Sequence, residues 1–185
     1  CGKPMIGHIL DVAKESNLFS IIHVSTEDKE IIKIAEDMGC PVQFVRPTEL
    51  ADDVTPIMPV LKWVTKTFQK KGEEFDEIWL LMACAPLIEA TDLNEAAIRF
   101  SAKNDLPMIA VTSYSAPIEW SYEIADNKLL IPVFPGMYAK PSNEFSTKYY
   151  DTGTFAIFAK RNVLESEGAG NNKYVGYELS SEKAI

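Results

Sequence analysis

Short apolar runs alternate with amphipathic stretches along most of this chain, and that alternation limits the folds open to it more than any other feature. Residues 20–24 (Ser-Ile-Ile-His-Val), 41–45, 76–83 and 107–113 each read as a strand of four to eight residues. Their near-continuous apolar character suits a parallel strand covered on both faces. Between them, apolar residues recur at helical spacing. Met5, Ile6, Ile9, Leu10 and Ala13 predict a helix over 4–16 with one buried stripe. Ile31, Ile34, Ala35 and Met38 predict a second over 27–39, with Ser25 and Asp28 spaced as a capping box and Gly39 as its stop. Ile57, Val60, Leu61, Val64 and Phe68 mark a third helix, ending at Lys70-Lys71-Gly72 where cations meet the negative end of the helix dipole. Leu93, Ala96, Ala97 and Phe100 mark a fourth. Strands separated by helices imply a three-layer α/β/α sandwich on a mostly parallel, Rossmann-like sheet, with 76–83 as a central strand.

The alternation breaks over residues 114–150, where Pro117, Pro132, Pro135 and Pro141 interrupt any helix. Two short strands near 120–125 and 128–133 predict a small antiparallel insertion, followed by an irregular loop suited to a lid or a dimer contact. A buried strand returns at 151–159, then a short helix at 160–166, a turn at 168–172 and a last strand at 173–179. With 185 residues and 46% apolar content, a single domain over 1–185 can bury its own core.

The charge balance narrows the partners. Lys and Arg are outnumbered 18 to 27, for a net charge of −9, which argues against a general nucleic-acid or anionic-membrane surface. A small phosphate ligand needs only a local site. Cys1, Cys40 and Cys84 fit no metal spacing, and His8 and His23 are too few for a His-rich centre. Reduced thiols in a cytoplasmic protein are the expectation. No run approaches the ~18–20 apolar residues of a membrane span.

Two motifs then fall at the carboxyl ends of the expected strands, where open α/β sheets bind ligands, and a third begins a strand at the same rim. They are Val45-Arg46-Pro47-Thr48-Glu49-Leu50-Ala51-Asp52-Asp53, Leu80-Leu81-Met82-Ala83-Cys84-Ala85-Pro86-Leu87 and Tyr149-Tyr150-Asp151-Thr152-Gly153-Thr154-Phe155. With Gly2-Lys3-Pro4-Met5-Ile6 at the front and Pro117-Ile118-Glu119-Trp120 in the insertion, their order resembles the acylneuraminate (CMP-sialic and pseudaminic acid) cytidylyltransferase family, nearest its pseudaminic acid branch. The resemblance implies a nucleotide-diphospho-sugar transferase fold. It also implies transfer of CMP from CTP to a nine-carbon keto-acid (nonulosonic) sugar with release of pyrophosphate, Mg²⁺ as cofactor, and a homodimer or other self-association.

Carried onto this sequence, the family's nucleotide- and sugar-binding positions are Arg46, Asp53, Met82, Ala83, Cys84, Ala85, Asp151, Thr152 and Gly153. No catalytic residue and no metal ligand is assigned. Departures accompany the likeness. Met82 stands for a family Gln, Ile57 for a Ser or Thr near the base, and Pro141 for an Arg, while Glu119 sits where some members place a cation or amide. The family's Gly-rich phosphate loop and its acidic Mg²⁺-binding pair would lie beyond Cys1 and Ile185. The chain as given is therefore expected to be a poor synthetase. A first strand, expected mid-sheet, would leave unpaired neighbours if absent and favour self-association.

Plainer roles compete at each position. Arg46 either grips a phosphate, carboxylate or hydroxyl pair or forms a surface pair with Glu49 or Asp53. Asp53 bonds ligand hydroxyls or caps the following helix. Lys3 reaches phosphate or is solvated. Cys84 is a buried or ligand-lining thiol rather than a nucleophile. Asp151 contacts sugar hydroxyls or caps a turn, and Gly153 permits close backbone packing. Trp63, Trp79 and Trp120 are core candidates, with Trp120 also placed to line a sugar pocket. Two rival functions stand beside the synthetase. One is a cytidylyltransferase for another sugar acid such as Kdo, and the other a non-catalytic homologue that binds or assembles.

Overall fold

The computed structural model describes residues 2–102, 106–165 and 173–184. Cys1, Ile185, Ser166 and the expected turn at 168–172 lie outside them. Among these described residues there are five helices, α1 (Met5–Ser16), α2 (Lys29–Asp37), α3 (Ile57–Lys70), α4 (Ala90–Ser101) and α5 (Lys160–Glu165). Six strands accompany them: β1 (Glu77–Leu81), β2 (Met108–Ser113), β3 (Tyr122–Ile124), β4 (Leu130–Pro132), β5 (Tyr149–Ala159) and β6 (Val175–Glu178).

The main sheet has the order β1-β5-β2-β6. Strands β1, β2 and β6 run one way, and β5 runs against both of its neighbours. It is a mixed α/β sheet with helices on both faces, as the alternation requires. Strand β5 shows why it holds the centre: Phe155 and Ile157 point into one core with α1, α4 and β6, while Ala156 and Phe158 point into the other with α3 and α5. Alternating side chains of one strand thus seal both layers. The insertion forms a separate hairpin, β3 against β4, where the two short strands are expected.

Several expectations are corrected. Residues 20–24 and 41–45 carry no ladder, and neither is a strand. Their side chains still sort as in a strand, Ile22 and Val24 toward α1 and α2, His23 toward α3. Among the described residues the backbone bond that joins the two segments is Arg46 N to Thr26 O, 3.0 Å. A ladder needs a partner along its whole length, and neither segment has one. For the same reason β1 is an edge strand, bonded on one side by β5, and not the central strand expected from its apolar sequence. Ser25 takes no part in a capping box: Asp28 caps α2, its Oδ1 accepting from Glu30 N at 2.7 Å and Ile31 N at 3.1 Å, while Ser25 Oγ is left buried and unpartnered. The stripe on α1 is narrower than expected, since Met5 is 57% exposed. No helix among the described residues is long and apolar enough to cross a membrane.

His23 has an unusual environment. Its ring lies 4.2 Å from Phe44 and 5.4 Å from Phe68, both nitrogens shielded and unpartnered. Burial, reinforced by the charge of Lys71, pushes its pKa down to about 4. The unfolded chain therefore binds a proton near pH 6.5 that the native chain refuses until about pH 4. Stability is full above pH 6.5 and is lost as pH falls through this window. Discounted for partial exposure, the expected loss between pH 7 and 4.5 is about 2 kcal/mol. In urea titrations His23→Phe should remove that part of the slope, and an identical slope in the variant would refute the assignment.

Candidate functional site

Strand β1 leaves the sheet at Met82, whose N–H donates to Thr154 O at 2.9 Å. The chain then turns, closed by Ala85 N to Met82 O at 3.2 Å. Ala83 and Cys84 are exposed on this turn and Ala85 is buried. Cys84 is thus a surface thiol, not a buried one; among the described residues Cys40 is the buried cysteine.

Opposite the turn, β5 bulges. Ile109 faces Ala156 and Val111 faces Asp151, so four residues of β5 (152–155) are set against the single residue Ala110. The bulge has its own supports: Thr152 Oγ1 donates to Ala110 O at 3.0 Å and lies 2.8 Å from Thr154 Oγ1. Asp151 Oδ1 accepts from Gly153 N at 2.8 Å. Gly153 sits at φ +64°, left-handed backbone in which a side chain costs about 1 kcal/mol. Asp151 therefore has the turn-capping role, and its carboxylate stays exposed. Bulges re-aim backbone and side chains beside ligand sites. Here the bulge and the turn share the Met82–Thr154 bond, so Met82, Ala83, Cys84, Ala85, Asp151, Thr152 and Gly153 form one contiguous rim.

The turn is braced from below by the start of α4. Glu89 and Asp92 form a reciprocal capping box, and Lys183 Nζ donates to both carboxylates, at 2.6 and 2.8 Å. Burial works against the Lys183 charge, but the bonds to Asp92 and Glu89 hold its pKa above the usual lysine value. Glu89, Asp92 and Lys183 escaped the sequence reading, although the Glu-x-x-Asp spacing before an apolar helix is a visible cap signal.

Arg46 and Asp53 lie on another segment. The guanidinium of Arg46 bonds Glu27, Nη2 to Oε2 at 2.6 Å and Nε to the same oxygen at 3.1 Å. Its partner is Glu27, not Glu49 or Asp53. The hydrogen bond from Arg46 holds the Glu27 carboxyl below the usual glutamate range. Asp53 is exposed and does not cap α3; the neighbouring Asp52 shapes this turn, Oδ1 accepting from Thr55 N at 2.6 Å and Val54 N at 3.1 Å. Among the described residues no hydrogen bond or ion pair joins Arg46 or Asp53 to the rim at Met82 and Asp151. Lys3 is paired with Asp11.

Known proteins resemble this chain to different degrees. Pseudaminic acid cytidylyltransferase of Campylobacter jejuni (serotype O:2) is 26% identical over 166 residues, 90% of this chain and 72% of that protein. A post-translational flagellin modification protein B of Campylobacter coli is 29% identical over 185 residues, 96% of this chain and 75% of that protein. N-acylneuraminate cytidylyltransferase A of Danio rerio is 24% identical over 186 residues, 100% of this chain and 42% of that protein. Among solved structures, a CMP:2-keto-3-deoxy-manno-octonic acid synthetase complexed with CTP superposes with a TM-score of 0.58, covering 89% of this chain and 66% of that one. At 17% identity it supports the fold alone. A family model described as Cytidylyltransferase matches residues 1–134, from α1 through β1, the Met82–Ala85 turn and the hairpin, and on that match the chain belongs to the cytidylyltransferase family.

Proposed function

We propose that this chain is a CMP-nonulosonate synthetase homologue. In that reaction the anomeric hydroxyl of a nine-carbon keto-acid sugar, pseudaminic or a sialic acid, attacks the α-phosphorus of CTP as pyrophosphate leaves. The observation that carries the reading is the rim itself: the turn after β1 and the bulge of β5 are locked together by the Met82–Thr154 bond at the carboxyl end of β1. Small residues at 83–85 leave room for a sugar to approach the backbone, and exposed Asp151 offers a carboxylate to its hydroxyls. The relatives' pseudaminic and acylneuraminate substrates support the choice of sugar.

Phosphoryl transfer of this kind depends on positioning and on neutralising charge. Mg²⁺ is the expected cofactor of the family reaction. Among the described residues no group of three or more His, Cys, Asp or Glu suits a metal, so these residues do not fit it. With Lys3 engaged by Asp11, turnover by these residues is expected to be slow. Selectivity is therefore the sharper test. In calorimetric titrations CTP should bind at least about tenfold more tightly than UTP, since a site that pairs with a base amine rejects a base lacking it. Equal binding of the two, or of neither, would sink the synthetase reading and favour an assembly role.

The insertion over 114–150 supports self-association. Its hairpin exposes Ile124 (74%) and Leu130 (60%), which are cross-strand partners and share one face. A second copy of the chain is the proposed cover. Light scattering should give about twice the 20.7 kDa chain mass, and Ile124→Glu with Leu130→Glu should return it to one chain mass. A wild-type monomer at tens of micromolar would overturn this.

A further inference from the structure

The segment that carries the rim turn is pinned along its length. Ala85 and Ile88, each 2% exposed, are sunk in one core with Leu93 of α4 and Leu179 beyond β6. Pro86, between them, fixes its own φ. Glu89 N then donates to Asp92 Oδ2 at 2.8 Å and closes the segment on the first turn of α4. Anchored this often, the chain from Met82 to Glu89 moves with the start of α4 rather than independently of it. Lys183 reaches the same point from the other edge of the sheet. Leu179 N donates to Val111 O at 2.8 Å and Leu179 O accepts from Thr112 Oγ1 at 3.0 Å, so the chain after β6 is clipped to β2. A turn closed by Lys183 N and Ser180 O, 3.0 Å apart, then brings the Lys183 side chain to α4.

The helix cap does not require this cation. Glu89 and Asp92 satisfy backbone N–H groups of the first turn between themselves, and an uncharged serine could do the same. A carboxylate as buried as that of Asp92, 9% exposed, is instead a burden unless a cation pairs with it. What the charged set adds is a bond between distant parts of the chain. Lys183 is 94 residues from Glu89 and 91 from Asp92. Its side chain is 25% exposed, so solvent screens the contact to Asp92 only in part. A second tie joins β6 to the middle of α4, with Tyr177 Oη 3.3 Å from Glu95 Oε2 and Arg99 5.0 Å from the Tyr177 ring. Lys183 holds the first turn, the part of α4 continuous with the rim.

We propose that Lys183 is a positioning residue for the rim: by tying the chain after β6 to the first turn of α4, it holds the Met82–Ala85 turn against the β5 bulge in the arrangement that receives a ligand. The inference rests on the reading of this rim as the sugar-acid site. Lys183 touches no reacting group and acts only through Glu89 and Asp92.

The test uses the double variant Lys183→Met with Asp92→Asn, and Lys183→Arg as the rescue. Lys183→Met alone would leave the Asp92 carboxylate buried and unpaired. The double variant removes one charge of each sign, so net charge beside the rim is kept, and its amide oxygen can still accept from Glu89 N. Amide hydrogen exchange, followed by NMR, reads the turn directly through Met82 N–H on Thr154 O and Ala85 N–H on Met82 O. In the double variant both amides should exchange at least about tenfold faster, with those of α3 within about twofold of the wild type. N-acetylneuraminate, titrated by calorimetry, should bind it at least about fivefold more weakly. Lys183→Arg should stay within about twofold of the wild type on both readouts. Unchanged exchange at Met82 and Ala85, an equal rise in α3, or undiminished affinity beside faster exchange overturns the proposal. If exchange responds as expected while N-acetylneuraminate fails to bind even the wild type, the Lys183 link stands and the sugar-acid reading falls.

Discussion

Ile157→Ala is expected to lower the unfolding free energy by about 4 kcal/mol, the largest stability loss of any single truncation considered for this fold. Ile157 has no exposed surface and stands near the carboxyl end of β5, opposite Trp79 on β1 and Met108 on β2. It belongs to the core shared by α1, α4 and β6, where Leu93, Ala96 and Met108 are also fully buried. Neighbours on both sides are fixed by sheet hydrogen bonds, so the cavity left by the lost methylenes has little room to collapse. In a chain of 185 residues the expected fall in Tm is about 10 °C. Ile131→Ala, on the exposed hairpin, should change stability by less than about 0.5 kcal/mol. Urea unfolding of the two variants decides the matter, and a loss below about 1 kcal/mol for Ile157→Ala would show that β5 is not the strand on which both layers close. The consequence reaches function, because the same strand carries the bulge at Asp151–Gly153, and a loosened β5 loosens that rim.

The helices and most of the sheet strands were legible because their signals are local. The 3.6-residue spacing of Ile57, Val60, Leu61, Val64 and Phe68 places α3 within a residue of its observed bounds. The apolar runs at 107–113 and 151–159 likewise became β2 and β5. A strand, however, is a property of a pair. Residues 20–24 have the composition of a buried strand and even the alternation of one, but no sequence pattern states which backbone lies alongside. The same blindness promoted β1 to the centre of the sheet. At the site, the turn at Met82–Ala85 follows the carboxyl end of β1, whereas Asp151–Gly153 reach the same rim from near the amino end of the antiparallel β5. What the sequence could not rank was chemically identical neighbours: Asp52 and Asp53 differ only in which carboxylate the local turn brings onto Val54 N and Thr55 N. Glu27 was overlooked as the partner of Arg46 because the pair is 19 residues apart and is made by two segments whose approach no local spacing records. The three-residue excess in β5 has a visible trace only in Gly153, the residue that tolerates φ +64°.

Arg46→Ala is expected to weaken CTP binding by ten- to a hundredfold, the range for loss of a charge-assisted hydrogen bond to a ligand. The geometry makes the expectation specific. Glu27 occupies Nε and Nη2 of the guanidinium, which fixes the plane of the fork and leaves the Nη1 side for an anion. Glu27 is thus a positioning residue, and Glu27→Gln, which keeps an acceptor but not the charge, should weaken binding only about threefold. Arg46→Lys retains the charge without the fork and should fall nearer the alanine variant than the wild type. Because both side chains of the pair are partly exposed, 22% and 33%, removing it should cost the fold less than about 1 kcal/mol, so a binding defect can be separated from unfolding by a melt on the same samples. Undiminished CTP affinity in a folded Arg46→Ala protein would make the Arg46–Glu27 pair a surface tie between two segments, and would move the nucleotide to the rim formed by Met82–Ala85 and Asp151–Gly153 alone.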